Sequence, residues 1–129
     1  MKNPGTVALA AVIDIAGVVV FVLIGRTSHS EQLSTSGTLT TLWPFLAGLA
    51  LGWVLTFAWL RPLSILWPGI PVWIITVAAG MLFRASAGQG VEFAFVVVAT
   101  IVLGVFLVGW RLIARPFARS RVAQSSRVG

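Results

Sequence analysis

The residue in this chain best placed to do chemistry is a carboxylate in an apolar run. Asp14 lies within residues 6–25, 20 residues that are otherwise apolar or small and long enough to cross a bilayer as a helix. A carboxylate at such a depth costs ~2.5–3.5 kcal/mol on insertion scales, so a partner, a water-filled cavity or protonation has to offset it. At about 100° per residue, Asp14, Gly17, Phe21 and Gly25 share one helix face. The two glycines remove side-chain bulk beside the carboxylate, so a neighbouring helix can approach or a small cavity can open. Two roles follow: a polar clasp bonded across a helix bundle, or a titrating group that takes up a proton or cation.

A second set of polar residues lies further along. Trp73, Thr76, Gly80 and Arg84 recur at spacings of three, four and four, within a narrow arc of one helix face. The Trp73 indole N–H and the Thr76 hydroxyl fall near the depth of Asp14 and are its expected partners, with Arg84 next if the register allows. The blander reading is helix packing ended by a boundary arginine whose side chain snorkels outward. Residues 25–31 gather Arg26, two serines, a threonine, His29 and Glu31. An imidazole can shuttle protons near neutral pH, although a lone loop histidine is more often simply solvated. Arg26 and Arg84 fall on the same side and could jointly hold an anionic headgroup or substrate, because guanidinium forks match carboxylate and phosphate oxygens. Glu92 could equally pair with either.

Composition fixes what these residues are embedded in. Of 129 residues, 58% are hydrophobic and 9% charged, against roughly 25% charged in a soluble domain. There is too little polar surface for a water-facing shell, so the expected partner is the lipid bilayer. The absence of cysteine excludes disulfides and thiolate chemistry, and a single histidine leaves no metal site. No phosphate-binding glycine loop or nucleophile elbow is present, so an enzyme is not expected. The net charge of +6 does not point to nucleic acid, because five of the nine basic residues lie in the last 19 positions. That clustering reads as a tail beside anionic inner-leaflet lipid.

The elements follow from hydropathy. The expected fold is all-α: a polytopic four-helix antiparallel bundle with spans over residues 6–25, 38–60, 66–83 and 91–110. The fourth helix is expected to run on to about Pro116 and then fray. Residues 1–111 form the transmembrane domain, and 112–129 a basic, partly disordered cytoplasmic tail. Lys2, Arg61, Arg111, Arg115, Arg119, Arg121 and Arg127 fall on one side and Arg26 and Arg84 on the other, which puts both termini in the cytoplasm of a plasma-membrane protein. Trp43, Trp59, Trp67 and Trp110 suit an interfacial belt; Trp53 and Trp73 lie too deep for it. Gly48-x-x-x-Gly52 and Thr100-x-x-x-Gly104 allow close helix contact, inside the bundle or at a homodimer seam through Gly48 and Gly52.

Several of these pieces together resemble a known family. Asp14, the Gly25-Arg26-x-Ser28-His29 loop, Pro44-Phe45, Pro62, the series Gly69-x-x-x-Trp73-x-x-Thr76-x-x-x-Gly80-x-x-x-Arg84 and the closing Gly109-Trp110-Arg111 resemble the domain-of-unknown-function family 3054, small membrane proteins of actinobacteria and haloarchaea. The resemblance covers most of residues 6–111. It implies a four-helix membrane protein and no particular activity. In size and in one first-span carboxylate the chain is also similar to small multidrug resistance transporters, with an aspartate where those have glutamate.

The function expected from these residues is small-solute or proton-linked transport. Asp14 titrates in competition with a bond to Trp73 or Thr76, while Arg26, His29 and Arg84 guard the outer mouth. The alternative is an accessory subunit that binds lipid, quinone or another apolar cofactor in a slot beside Trp53 and Trp73, with Asp14 or Arg84 orienting a polar head.

Overall fold

A computed structural model describes the backbone of residues 4–28 and 35–128, and the side chains of residues 4–26 and 37–114. Four helices run α1 Pro4–Ser28, α2 Thr35–Thr56, α3 Ile70–Ser86 and α4 Phe93–Val128. A 3₁₀ turn at Ala58–Leu60 and a π-type turn at Ile65–Gly69 join α2 to α3. No strand occurs among the described residues. Four segments are long and apolar enough to cross a membrane: Pro4–Arg26, Gly37–Thr56, Ile65–Ser86 and Phe93–Ala114. These are the four expected spans with shifted ends.

The shifts have local causes. α2 stops at Thr56 rather than near residue 60, because Phe57 takes a left-handed backbone (φ 53, ψ 48) that ends α-helix. The Thr56 carbonyl, buried and released from the helix ladder, then accepts the Trp67 indole N–H at 2.9 Å, which satisfies one of the orphan acceptors of a helix end. The third span starts with the turn at Ile65–Gly69, broken by extended Trp67 (φ −151, ψ 115), and α3 proper begins beside Pro71 in its first turn. α4 does not end near Pro116; its backbone is helical to Val128. Inside α2, Pro44 has no N–H to donate to the Thr40 carbonyl four residues back. Gln89 Nε2 from the α3–α4 connection donates to that carbonyl at 3.0 Å instead.

α2 and α3 are the most closely packed pair. A Cβ on Gly48 would lie 2.9 Å from the Thr76 carbonyl oxygen and 3.0 Å from the Gly80 nitrogen, and one on Gly52 would meet Val72 at 3.4 Å. Glycine is needed there because two backbones touch. The expectation of a homodimer seam through Gly48 and Gly52 is therefore corrected: α3 occupies that face. Phe45 lies against Gly80 and meets Phe21 edge-to-face at 5.2 Å, forming with Phe95 the aromatic part of the core.

The outside of the bundle is as apolar as the inside. Leu66, Leu82, Phe93 and Ile113 are 68–83% exposed, and α1 alone turns Leu9, Val12, Ile15 and Ile24 outward. Apolar surface on every face is far more than a monomer in water carries, and it fits a hydrocarbon surround.

Candidate functional site

Asp14 lies on the buried stripe of α1 between Ala10 and Val18 and is itself fully buried. Each of its oxygens accepts two hydrogen bonds. Oδ1 takes the Trp110 indole N–H at 2.7 Å and Arg111 Nη1 at 2.9 Å. Oδ2 takes the Trp53 indole N–H at 2.8 Å and Arg111 Nη2 at 2.8 Å. The Arg111 fork thus meets the carboxylate in the bidentate geometry that suits both groups, while the indoles close its remaining approaches. Arg111 is equally buried. Its Nε donates to the Pro62 carbonyl at 2.8 Å and its Nη1 also to the Leu107 carbonyl at 2.6 Å. Its Cζ lies 4.6 Å from the Trp110 ring centre, within cation–π range. No buried side-chain nitrogen or oxygen among the described residues lacks a partner.

The sequence explains how Arg111 gets inside. On α4 the buried positions Ala99, Leu103, Leu107 and Arg111 recur every four residues, one helical stripe facing the core. Gly17, three residues after Asp14, lets α4 come close: a Cβ there would lie 3.0 Å from Phe106 Cβ. Below the pair, Gly69 leaves room for the arginine stem, since a Cβ there would lie 3.2 Å from Arg111 Cδ. The Gly17 space is thus filled by the neighbouring helix.

The expected partners of Asp14 are corrected by this geometry. The Trp73 N–H donates to the Thr100 carbonyl at 2.9 Å, with its ring over Gly104. The Thr76 hydroxyl donates to the Val72 carbonyl one turn back at 2.7 Å. Arg84 is at the other end of the bundle, where Nε donates to the Gly90 carbonyl and Nη1 to Gln89 Oε1. The depth is corrected too. Asp14 meets α2 only three residues before its last residue and α4 at positions 110 and 111, so it lies toward the end holding the α2–α3 connection. Trp110, expected in the interfacial belt, turns inward to the carboxylate.

Arg26 and Arg84 do come together at the opposite end. Both line a cavity of about 50 Å³ with Thr41 and Phe95. Arg26 Nη1 donates to the Thr41 hydroxyl at 3.0 Å, and Arg84 stacks over the Phe95 ring at 4.4 Å. His29 lies outside the described residues. No group of three or more potential metal ligands occurs among the described residues.

Sequence reasoning missed Trp53, Trp110 and Arg111. The four-residue stripe on α4 pointed to Arg111, and the misfit of Trp53 with an interfacial belt pointed to a buried acceptor for its N–H.

These features define a small polytopic bundle, four helices long and apolar enough to cross a membrane, with one buried carboxylate–guanidinium clasp. The chain belongs to the DUF3054 family, described as a protein of unknown function, whose model matches residues 11–114. The match runs from three residues before Asp14 to three after Arg111, so it contains the whole clasp. No curated protein and no solved structure matches the chain.

Proposed function

We propose that the protein is a small membrane carrier for protons or a proton-linked solute, with the Asp14–Arg111 pair as its gate. The observation that carries this is a bidentate ion pair, fully buried on both sides, inside helices with a lipid-facing exterior. Desolvation makes such a pair a poor source of stability compared with apolar side chains of the same volume, and an ionisable group within a span is by default a functional one. A proton or cation that takes Asp14 removes the charge that holds Arg111. α1 is then free to part from α4 and from the α2–α3 connection, which Arg111 ties through Pro62.

Orientation follows from the basic residues. With Arg111 inside the bundle, six of the original seven stand against two, which still favours cytoplasmic termini in a plasma membrane and a tail against anionic lipid. The gate then closes the cytoplasmic end. A second reading rests on a lipid-facing groove of about 300 Å³ between α1 and α2, lined by Ile15, Leu46 and Trp53. A lipid or quinone lying there would touch the indole that bonds Asp14.

The test is proteoliposome flux. A pH-sensitive dye trapped inside should report proton uptake by the native protein, and Asp14→Asn should abolish it while the purified variant keeps its helicity. Unchanged flux in a folded Asp14→Asn protein would refute the gate. No flux from native protein, with an isoprenoid or lipid co-purifying, would transfer the assignment to the groove.

A further inference from the structure

We propose that the connection between α2 and α3 is a binding site for one anionic phospholipid, with Arg61 holding its phosphate. This inference is independent of the carrier reading. Residues 57–64 lie between two apolar spans, one ending at Thr56 and the next starting at Ile65, so they are level with lipid headgroups. Two backbone turns meet at Arg61. Its N–H donates to the Ala58 carbonyl at 3.2 Å, and its carbonyl accepts the Ser64 N–H at 3.1 Å. Turns of this kind bring residues three apart to within about 7 Å of each other. Trp59, Arg61 and Ser64 therefore fall on one short, folded stretch, which carries an indole N–H, a guanidinium and a hydroxyl.

The backbone of this connection is tied from inside. Arg111 Nε donates to the Pro62 carbonyl at 2.8 Å, the Trp67 indole to the Thr56 carbonyl at 2.9 Å, and the Gly69 N–H to the Ser64 carbonyl at 3.1 Å. The Phe57 ring meets the Trp59 ring edge-on at 5.4 Å. The polar side-chain groups of Trp59, Arg61 and Ser64, by contrast, make no hydrogen bond or ion pair with any described residue. A fixed frame that presents unused donors loses little freedom on binding. The guanidinium fork matches phosphate oxygens, and an indole N–H suits the wet edge of the bilayer. Residues 57–67 hold no carboxylate to meet the cationic half of a zwitterionic headgroup, so the charge suits an anionic one. Phe57, Leu60, Leu66 and Trp67 beside the donors are 44–77% exposed. Acyl chains cover such residues, whereas a free anion has no use for them, and that assigns the site to a lipid.

The experiment uses the full-length protein in nanodiscs of phosphatidylcholine. Phosphatidylglycerol with brominated acyl chains is added in rising fraction, with brominated phosphatidylcholine as reference, and quenching of tryptophan fluorescence is read. Trp59 and Trp67 are exposed at the site. Saturable quenching is expected at a lower fraction of the phosphatidylglycerol than of the phosphatidylcholine. Arg61→Gln should raise the half-quenching fraction about fivefold or more, the effect of one arginine at an anionic surface, and Ser64→Ala about twofold or more. Arg119→Gln removes the same charge from the tail and should leave it unchanged. In phosphatidylcholine alone Arg61→Gln should melt at the native temperature, because that side chain bonds nothing in the bundle; a lower melting temperature would overturn the proposal. So would equal quenching by the two brominated lipids, an equal loss in Arg119→Gln, or reversal of the quenching by inorganic phosphate at matched ionic strength.

Discussion

Removing Asp14 and Arg111 together should do less damage than removing either alone. Asp14→Leu leaves a buried guanidinium, and Arg111→Met leaves a buried carboxylate held only by the Trp53 and Trp110 indoles. Each single change should cost ~3–5 kcal/mol, the usual penalty for stripping one partner from a buried pair. Independent effects would then sum to ~6–10 kcal/mol. The double variant has no buried charge. It leaves the two indole N–H groups without acceptors, at ~1–3 kcal/mol each, and regains part of that from apolar packing. A net loss of ~2–4 kcal/mol is expected for it, hence a coupling of at least ~2 kcal/mol. Equilibrium unfolding in mixed micelles, followed by tryptophan fluorescence, measures all four proteins. Additive single losses, with coupling near zero, would show that the two charges are not desolvated together and would remove the physical basis of the clasp.

Two further predictions concern the same packing. Trp110→Phe and Trp53→Phe should each lower stability by ~1.5–3 kcal/mol, the range for a hydrogen bond to a charged acceptor, in the same unfolding assay. Gly48→Ala should destabilise by ~1–3 kcal/mol, because its methyl meets the α3 backbone rather than a side chain that can move. Gly109→Ala, with open space around its Cβ position, should be neutral or gain up to ~1 kcal/mol from helix propensity. Melting temperatures of the two alanine variants, side by side, decide that contrast.

How much of this was legible in the sequence depends on the range of the interaction. Spans are set by local hydropathy, and all four were found. Their ends moved where a single residue left the helical region, as at Phe57, which no apolar count reveals. Asp14 announced itself by its cost in an apolar run. Its partners did not, because they depend on the rotation and vertical offset of helices far apart in the chain. α1 reaches past the end of α2, so a residue in the middle of one helix meets the last turn of another. Arg111 and Trp110 were read as boundary residues, since charge and aromaticity near a span end ordinarily mean an interface. Thr76 looked available because a hydroxyl can bond anywhere, yet its own helix supplies the nearest acceptor. Arg26 and Arg84 were correctly placed on one side, as topology alone requires, but that they share one cavity is visible only in the packed bundle.

Arg111 lies 97 residues after Asp14. A ribosome delivers helices to the membrane in order, so α1 enters with its carboxylate exposed to lipid while the arginine that will cover it has yet to be translated. Until α4 arrives, the Trp53 indole of α2 is the one member of the clasp that can bond that carboxylate. The ion pair closes only when the chain has been made through Arg111. A chain that stops short of its fourth helix therefore keeps a carboxylate within its first span and lacks the counter-charge that meets it in the finished bundle.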